Sequence, residues 1–380
     1  MADYLTIFDT TLRDGEEAPG FGLTPDQKVA MAQQFARLGV DVVEAGFPAA
    51  SDEEFATVQR IAREVRGPVI AALAPPFDAE IDRVWEALKG AERPRIHTFL
   101  TAADVHQQGS THRERAKARA VATVARARHL TDQVEFSPID ATRSDWAYVS
   151  ELFESVIDAG ATIVNIPDTC GFAQPDELAA MVSYMRDHVV NIERATISVH
   201  CHNDLGLAVA NSLAAIKAGA RQAHCCMNGI GERAGNAALE ELVMALSVRR
   251  DQHAVDHRIN LDQLLPTSAM LQQFTGVTVQ PNKAIVGLNA YARDKNGLHG
   301  DAMVEDARTY RLHSGRDALR TRLEELGLLL NQDELNHAFA GYMRLTDYQA
   351  DVSDEDLVRI AHNGRRAADG VFDAIGHVYR

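Results

Sequence analysis

The chain has 380 residues, with 38 Lys plus Arg against 54 Asp plus Glu, a net charge of −16. Its 46% apolar and 24% charged residues are those of a globular protein, which excludes a disordered, collagen-like or disulfide-stapled chain. The acidic balance repels phosphate backbones and anionic lipid, and no apolar run nears the ~18 residues of a membrane span, so neither nucleic acid nor membrane is an expected partner. The start, MADYLTIFDTTLRDGEE, lacks the basic and long apolar regions of a signal peptide. Cys170, Cys201, Cys225 and Cys226 form no CxxC pair, and adjacent cysteines make a poor disulfide. A reducing cytoplasm is the expected location.

Short β-branched or apolar runs recur roughly every 30 residues, each followed by a longer amphipathic stretch. The runs are Leu5–Leu12, Val40–Gly46, Pro68–Ala74, Arg95–Thr101, Gln133–Ala141, Thr162–Thr169, Thr196–Asn203 and Gln222–Gly229. Between them lie helical patterns, among them Pro25–Leu38, Asp52–Val65, Trp146–Ala159, Pro175–His188 and Leu207–Ala218. Continuous apolar strands alternating with helices indicate a parallel sheet covered by helices. Eight such units fit a closed α/β barrel, (β/α)8 or TIM type, over ~250 residues. The rival, an open doubly wound sheet, usually carries GxGxxG after its first strand, which TLRDGEEAPG does not match. The rhythm stops near residue 253. Asp256–Leu271 reads as a helix, Gln280–His299 is loop-rich, and the pattern is helical from Ser314 on. The expected organisation is a barrel over 1–255, an extended arm over 256–313 and a small helical C-terminal subdomain over 314–380.

Active sites of such barrels gather at the carboxyl ends of the strands. There the chain places Arg13-Asp14, Glu44, His97, Thr169, His200-Cys201-His202 and Asn236. Residues i and i+2 of a strand share a face, so His200 and His202 point together into the mouth. Two such imidazoles bind a divalent metal when oxygens complete the shell. Asp14 is the carboxylate candidate, because the first strand closes against the eighth, and Asn236 adds a neutral oxygen. The plainer alternative is a pair of hydrogen-bonded core histidines. Arg13 stands to neutralise an oxyanion on a metal-polarised carbonyl, or to bridge Glu44. Thr169 either donates to a substrate carboxylate or caps the next helix. His299 and Tyr310, in the arm, read alone as surface or packing residues.

The motifs LRDGEEAPG, HCHNDLGLAVANSLAAIKAGA and NGIGERAGNAALEELVMAL, with IVGLNAY and GLH…TY in the arm, closely resemble the α-isopropylmalate synthase/homocitrate synthase family. The resemblance covers most of the chain. It implies a TIM barrel that uses a divalent metal (Mg, Mn or Zn) and acetyl-CoA. The acetyl group is condensed with a 2-oxo acid in a Claisen-type step, and thioester hydrolysis then releases CoA. It further implies Asp14, His200 and His202 as metal ligands with Asn236 close by, Arg13 polarising the 2-oxo group and Thr169 holding its carboxylate. Glu44 joins the catalytic set, and His97 the substrate wall. A histidine and a tyrosine eleven residues later come from the partner chain in this family and assist proton transfer. His299 and Tyr310 keep that spacing, which implies a homodimer with exchanged arms.

Three departures bear on the acceptor. The family's DGEQ reads Asp14-Gly15-Glu16-Glu17, an acid for an amide at Glu17. Its glutamate after FSx is Ile139, which makes that wall more apolar or leaves room for an acid group on the substrate. Its HESGIH stretch reads Arg293-Asp294-Lys295-Asn296-Gly297-Leu298-His299. Arg143, or Arg293 and Lys295 from the arm, either receives an extra anionic group or is a solvated charge. The family's longer members carry a C-terminal feedback domain, which is not expected within these 380 residues. The rival functions are a carbon–carbon lyase or aldolase on the same metal barrel and a silent scaffold. Lyases of the hydroxymethylglutaryl-CoA type carry a cysteine where this chain has GERAGN, and retention of Arg13, Asp14, His200 and His202 opposes the scaffold.

Overall fold

The computed structural model describes residues 3–106, 109–287, 290, 316, 319–346 and 352–368. Eight parallel strands close into a barrel in chain order. They are β1 (Thr6–Asp9), β2 (Val42–Glu44), β3 (Val69–Ala74), β4 (Pro94–Leu100), β5 (Val134–Pro138), β6 (Ile163–Asp168), β7 (Thr196–Cys201) and β8 (Gln222–Cys225). The ring is sealed by β8 against β1, with Gln222 opposite Thr6 and Cys225 opposite Asp9. Each strand lies inside one of the eight apolar runs except β4, which begins one residue earlier at Pro94, and the (β/α)8 fold is as expected.

The helices are α1 (Pro25–Leu38), α2 (Asp52–Glu64), α3 (Asp78–Leu88), α4 (Ser110–Arg128), α5 (Trp146–Ala159), α6 (Pro175–His188), α7 (Ala208–Ala218) and α8 (Leu239–Val248). Their ends are written locally. The Thr24 hydroxyl accepts from the Gln27 amide, the Gln27 side chain accepts from the Thr24 amide, and Pro25 opens the first turn of α1. Alternate strand residues face outward to the helices. Ile70, Ile96, Phe136, Val164, Ile166 and Val199 form that outer layer, all about fully buried. The inner positions differ round the ring. Phe8, Val42, Val69 and Ala71 make an apolar cluster on the β1–β3 side. Arg95, His97, Glu135, Ser137, Asn165, Ser198, Gln222 and His224 make the β4–β8 side polar, and all are buried.

Asp256–Leu271, expected as one helix, divides. Val255–Asp256 pairs in parallel with Asp3–Tyr4 as a two-stranded sheet. The Asn260 side chain then accepts from the Asp262 amide over a 3-10 turn, and α9 (Leu264–Thr275) begins. The partner of Asp256 lies at the far end of the chain, where local periodicity is blind. Helix α9 is fastened to α1, where Gln34 Nε2 donates to Thr267 Oγ1 at 2.9 Å. The first compact unit therefore runs through Val279, past residue 255.

The second unit is Gln280–Arg380. In it α10 (Gln332–Thr346) and α11 (Asp354–Ala368) share a core of Leu319, Leu323, Leu335, Leu357 and Ala361. A Cβ at Gly364 would stand 2.6 Å from the Glu334 carbonyl oxygen, so glycine permits the close crossing. No described helix is long and apolar enough to cross a membrane. The arm positions Arg293, Lys295, His299 and Tyr310 lie outside the described residues.

Candidate metal and active site

His200 sits on β7 and His202 just beyond it, their ring centroids 4.9 Å apart. Asp14 lies in the turn after β1, with Oδ2 3.6 Å from His200 Nε2. One ligand atom from each of Asp14, His200 and His202 falls within 4.8 Å of the others, and all three residues are buried. Burial pushes the pKa of both histidines down, which keeps them neutral and able to ligate. Burial alone would raise the Asp14 carboxyl, but the Arg13 guanidinium and the hydrogen bond from the Asn236 amide hold it well below the usual carboxylate range.

The donor set fits a divalent cation on two further observations. Asn236 Nδ2 donates to Asp14 Oδ1 at 2.9 Å and to the Ile230 carbonyl at 3.1 Å. Asn236 Oδ1 and His202 Nδ1 are buried with no hydrogen-bond partner among the described residues. Buried orphans of this kind ask for a ligand. Inside the barrel and at its mouth, Arg13 is paired with Asp14 and Glu44, and Arg95 with Glu135. With neutral imidazoles one negative charge is left over, which a cation compensates.

Arg13 is clamped. Its Nε donates to Glu44 Oε2 at 2.7 Å and its Nη1 to Asp14 Oδ2 at 2.9 Å. Among the described residues no acceptor bonds Nη2. Glu44 also accepts from Thr10 Oγ1 at 2.6 Å, and its Oε1 lies 2.7 Å from His97 Nδ1. Burial opposes its charge, yet Arg13 and His97 keep its pKa well below the ordinary value. On the far side of the ring His97 Nε2 lies 2.7 Å from Ser137 Oγ, and Ser137 Oγ accepts from Asn165 Nδ2 at 2.9 Å. The bridge to Glu44 that the sequence offered for Arg13 is therefore present beside the Asp14 contact. His97 spends both nitrogens inside the wall.

The loop after β8 closes tightly on this centre. Gly231 has φ +147°, and a Cβ there would stand 2.1 Å from Asn236 Nδ2. Only glycine leaves room for the amide.

Thr169 does not cap the following helix, which is capped at Gln174. Its Oγ1 accepts from the Asp140 amide at 2.9 Å, which leaves its O–H to donate. Arg143 is paired with Asp140, its Nε 3.0 Å from Oδ1. Ile139 follows β5, half-buried, with its amide on the Leu100 carbonyl at 3.0 Å. Glu17 is half-exposed, 4.0 Å from Arg13 Nη1. Cys201, Cys225 and Cys226 are buried, and Cys170 is half-buried.

The sequence reading passed over the layer beneath. Glu135 Oε2 accepts from Arg95 Nη1 at 3.0 Å, and its Oε1 from Gln222 Nε2 at 2.9 Å and His224 Nε2 at 2.7 Å. Burial opposes ionisation of Glu135, but these partners draw its pKa down to about 2. The signal was present: Arg95/His97, Glu135/Ser137 and Gln222/His224 are polar pairs at spacing two within otherwise apolar strands.

A closed (β/α)8 barrel carrying an aspartate, a His-x-His pair and an arginine at the carboxyl ends of its strands defines a metal-dependent barrel enzyme. Residues 4–271 match the HMGL-like family, to which the chain belongs, on the branch of the 2-isopropylmalate synthases. It is 50% identical over 375 residues to the 2-isopropylmalate synthase of Syntrophus aciditrophicus, covering 94% of this chain and 72% of that one. It is 48% identical over 379 residues to the 2-isopropylmalate synthase of Pyrococcus furiosus, covering 95% and 76%. Among solved structures, hydroxymethylglutaryl-CoA lyase from Pseudomonas aeruginosa superposes with a TM-score of 0.60 at 18% identity, over 73% of this chain and 95% of that one. That last likeness concerns the fold alone.

Proposed function

We propose that the chain is an acyltransferase of the 2-isopropylmalate synthase kind. It joins the methyl carbon of acetyl-CoA to the ketone carbon of a 2-oxo acid, then hydrolyses the thioester to give free CoA and a 2-substituted malate. The observation that carries this is the buried Asp14–His200–His202 set with Arg13 clamped beside it, in a chain about half identical to 2-isopropylmalate synthases. A divalent cation (Mg, Mn or Zn) held by those three side chains, with Asn236 Oδ1 close by, supplies Lewis acidity to the ketone.

The protein's own groups do the rest. Arg13, fixed by Glu44 and Asp14, offers Nη2 to the oxygen that gains negative charge as the carbon–carbon bond forms. Glu44 is wholly buried and acts by positioning Arg13 and His97. Thr169 donates its hydroxyl to the acceptor's carboxylate. Ile139 gives the acceptor pocket an apolar wall, His97 and Ser137 its floor, and Glu17 and Arg143 line the rim. His299 and Tyr310 of the arm move the methyl and product protons in the partner's site. The working enzyme is then a cytoplasmic homodimer, in which the part of the arm beyond Val279 crosses to the partner and keeps water out until the bond has formed.

The test is release of free CoA thiol from acetyl-CoA, with and without divalent metal, across branched, dicarboxylic and phosphorus-containing 2-oxo acids. Release that needs both metal and one acceptor class is expected. Metal-independent turnover, or none with any acceptor, overturns the reading. For the arm, a His299→Ala chain mixed with an Arg13→Ala chain should regain activity that neither has alone. Absence of rescue in verified mixed dimers sinks the shared site.

A further inference from the structure

The His224 ring occupies the centre of the polar half of the barrel, and nothing in the proposed reaction uses it. It is wholly buried on β8. One face stacks on Phe8, with centroids 3.8 Å apart and planes 10° from parallel. It meets His200 at 5.4 Å and 85°, and His97 at 5.7 Å and 87°. Its Nε2 lies 2.7 Å from Glu135 Oε1, so Nε2 carries the hydrogen and donates it.

Two routes into the metal set therefore meet on one ring. The first is direct, through His200. The second runs through His97 to Glu44, from Glu44 to Arg13 and from Arg13 to Asp14. Ligand imidazoles are commonly oriented by a hydrogen bond to a neighbouring carboxylate or carbonyl. Here an edge-to-face ring contact bears on His200, and the stack on Phe8 and the bond to Glu135 fix the ring that makes it.

We infer that His224 is a positioning residue that sets the ring of His200, and through His97 the Glu44–Arg13–Asp14 chain, in the orientation that binds a divalent ion. The inference rests on the metal-site reading above. The ring does the positioning, and the bond to Glu135 only holds the ring in place.

The experiment uses the full chain stripped of metal, titrated with Mn2+ by calorimetry and with Co2+ by visible absorption, which reports the ligand geometry. His224→Gln keeps an N–H for Glu135 but loses the ring. It should bind Mn2+ about 10- to 100-fold more weakly, with a changed Co2+ spectrum and with turnover restored by excess metal. His224→Phe keeps the ring and loses the bond, and should stay within about threefold of the unaltered chain. Should His224→Gln fail to fold, Phe8→Leu loosens the ring's support and should shift the Co2+ spectrum in the same sense, by less. Unchanged affinity and spectrum in His224→Gln, or equal weakening in His224→Phe, overturns the inference. Failure of the unaltered chain to bind either ion overturns the metal-site reading itself, which separates the two.

Discussion

The two faces of the barrel strands follow opposite rules. Outward positions such as Phe136, Ile166 and Val199 are apolar and bury against helices. Their neighbours one residue away, Glu135, Asn165 and His200, carry charge or hydrogen-bonding groups into an equally dry interior. The outer face gains stability from area removed from water. The inner face gives some of it up, because buried ions repay their desolvation only when every partner is in place. Stability and chemistry are thus assigned to alternate residues of the same short strands.

That division can be broken by mutation, and the largest effect is expected inside. His200→Ala should abolish divalent-metal binding and turnover together, while the urea midpoint of the metal-free protein moves little. Retained metal in calorimetry would contradict the ligand role. Glu44→Gln leaves the Arg13 charge without its main partner. Turnover should fall about 10²-fold at saturating metal, measured as CoA release. Phe136→Ala is the outer counterpart. It should cost about 3–5 kcal/mol in urea unfolding, with Mn2+ affinity unchanged for the molecules that stay folded. A loss of metal affinity there would show the faces to be coupled.

A last test sharpens the rule at its exception. Asp9 is buried on the outward side of β1, and burial raises its pKa to about 8 from 3.8. The folded state therefore holds a proton that the unfolded chain releases near pH 4. This contribution is full below the unfolded value and is lost as pH rises toward 8. Asp9→Asn should flatten the fall of stability between pH 5 and 8. An unchanged slope would mean that Asp9 is ionised in the folded protein.

The sequence displays the strands because each is a compact apolar run closed by turn residues, and it displays His200 and His202 because period two is a local property. Arg13 and Asp14 stand out by lying at a strand end. What stays hidden is pairing at a distance. Arg95 meets Gln222 across 127 positions, and His224 meets Glu135 across 89. Asp256 pairs with Tyr4 for the same reason. A polar residue inside a strand pattern looks like a blemish until its partner is found. Thr169 is a milder case. Its strand-end position suits a helix cap, and only the approach of the Asp140 amide reveals what its oxygen does.

The segment after β8 has a physical consequence of its own. It folds back and adds rungs to the sheet: Asn203 N–H donates to the Gly235 carbonyl, Ala237 N–H to that of Cys201, and Cys226 N–H to that of Ala237. His202 and Asn236 thus sit across a bridge rather than on a loose connection. Amide protons of Ala237 and Asn203 should exchange with deuterated solvent as slowly as those of the strands themselves, so the pocket inherits the stiffness of the ladder before any ligand arrives.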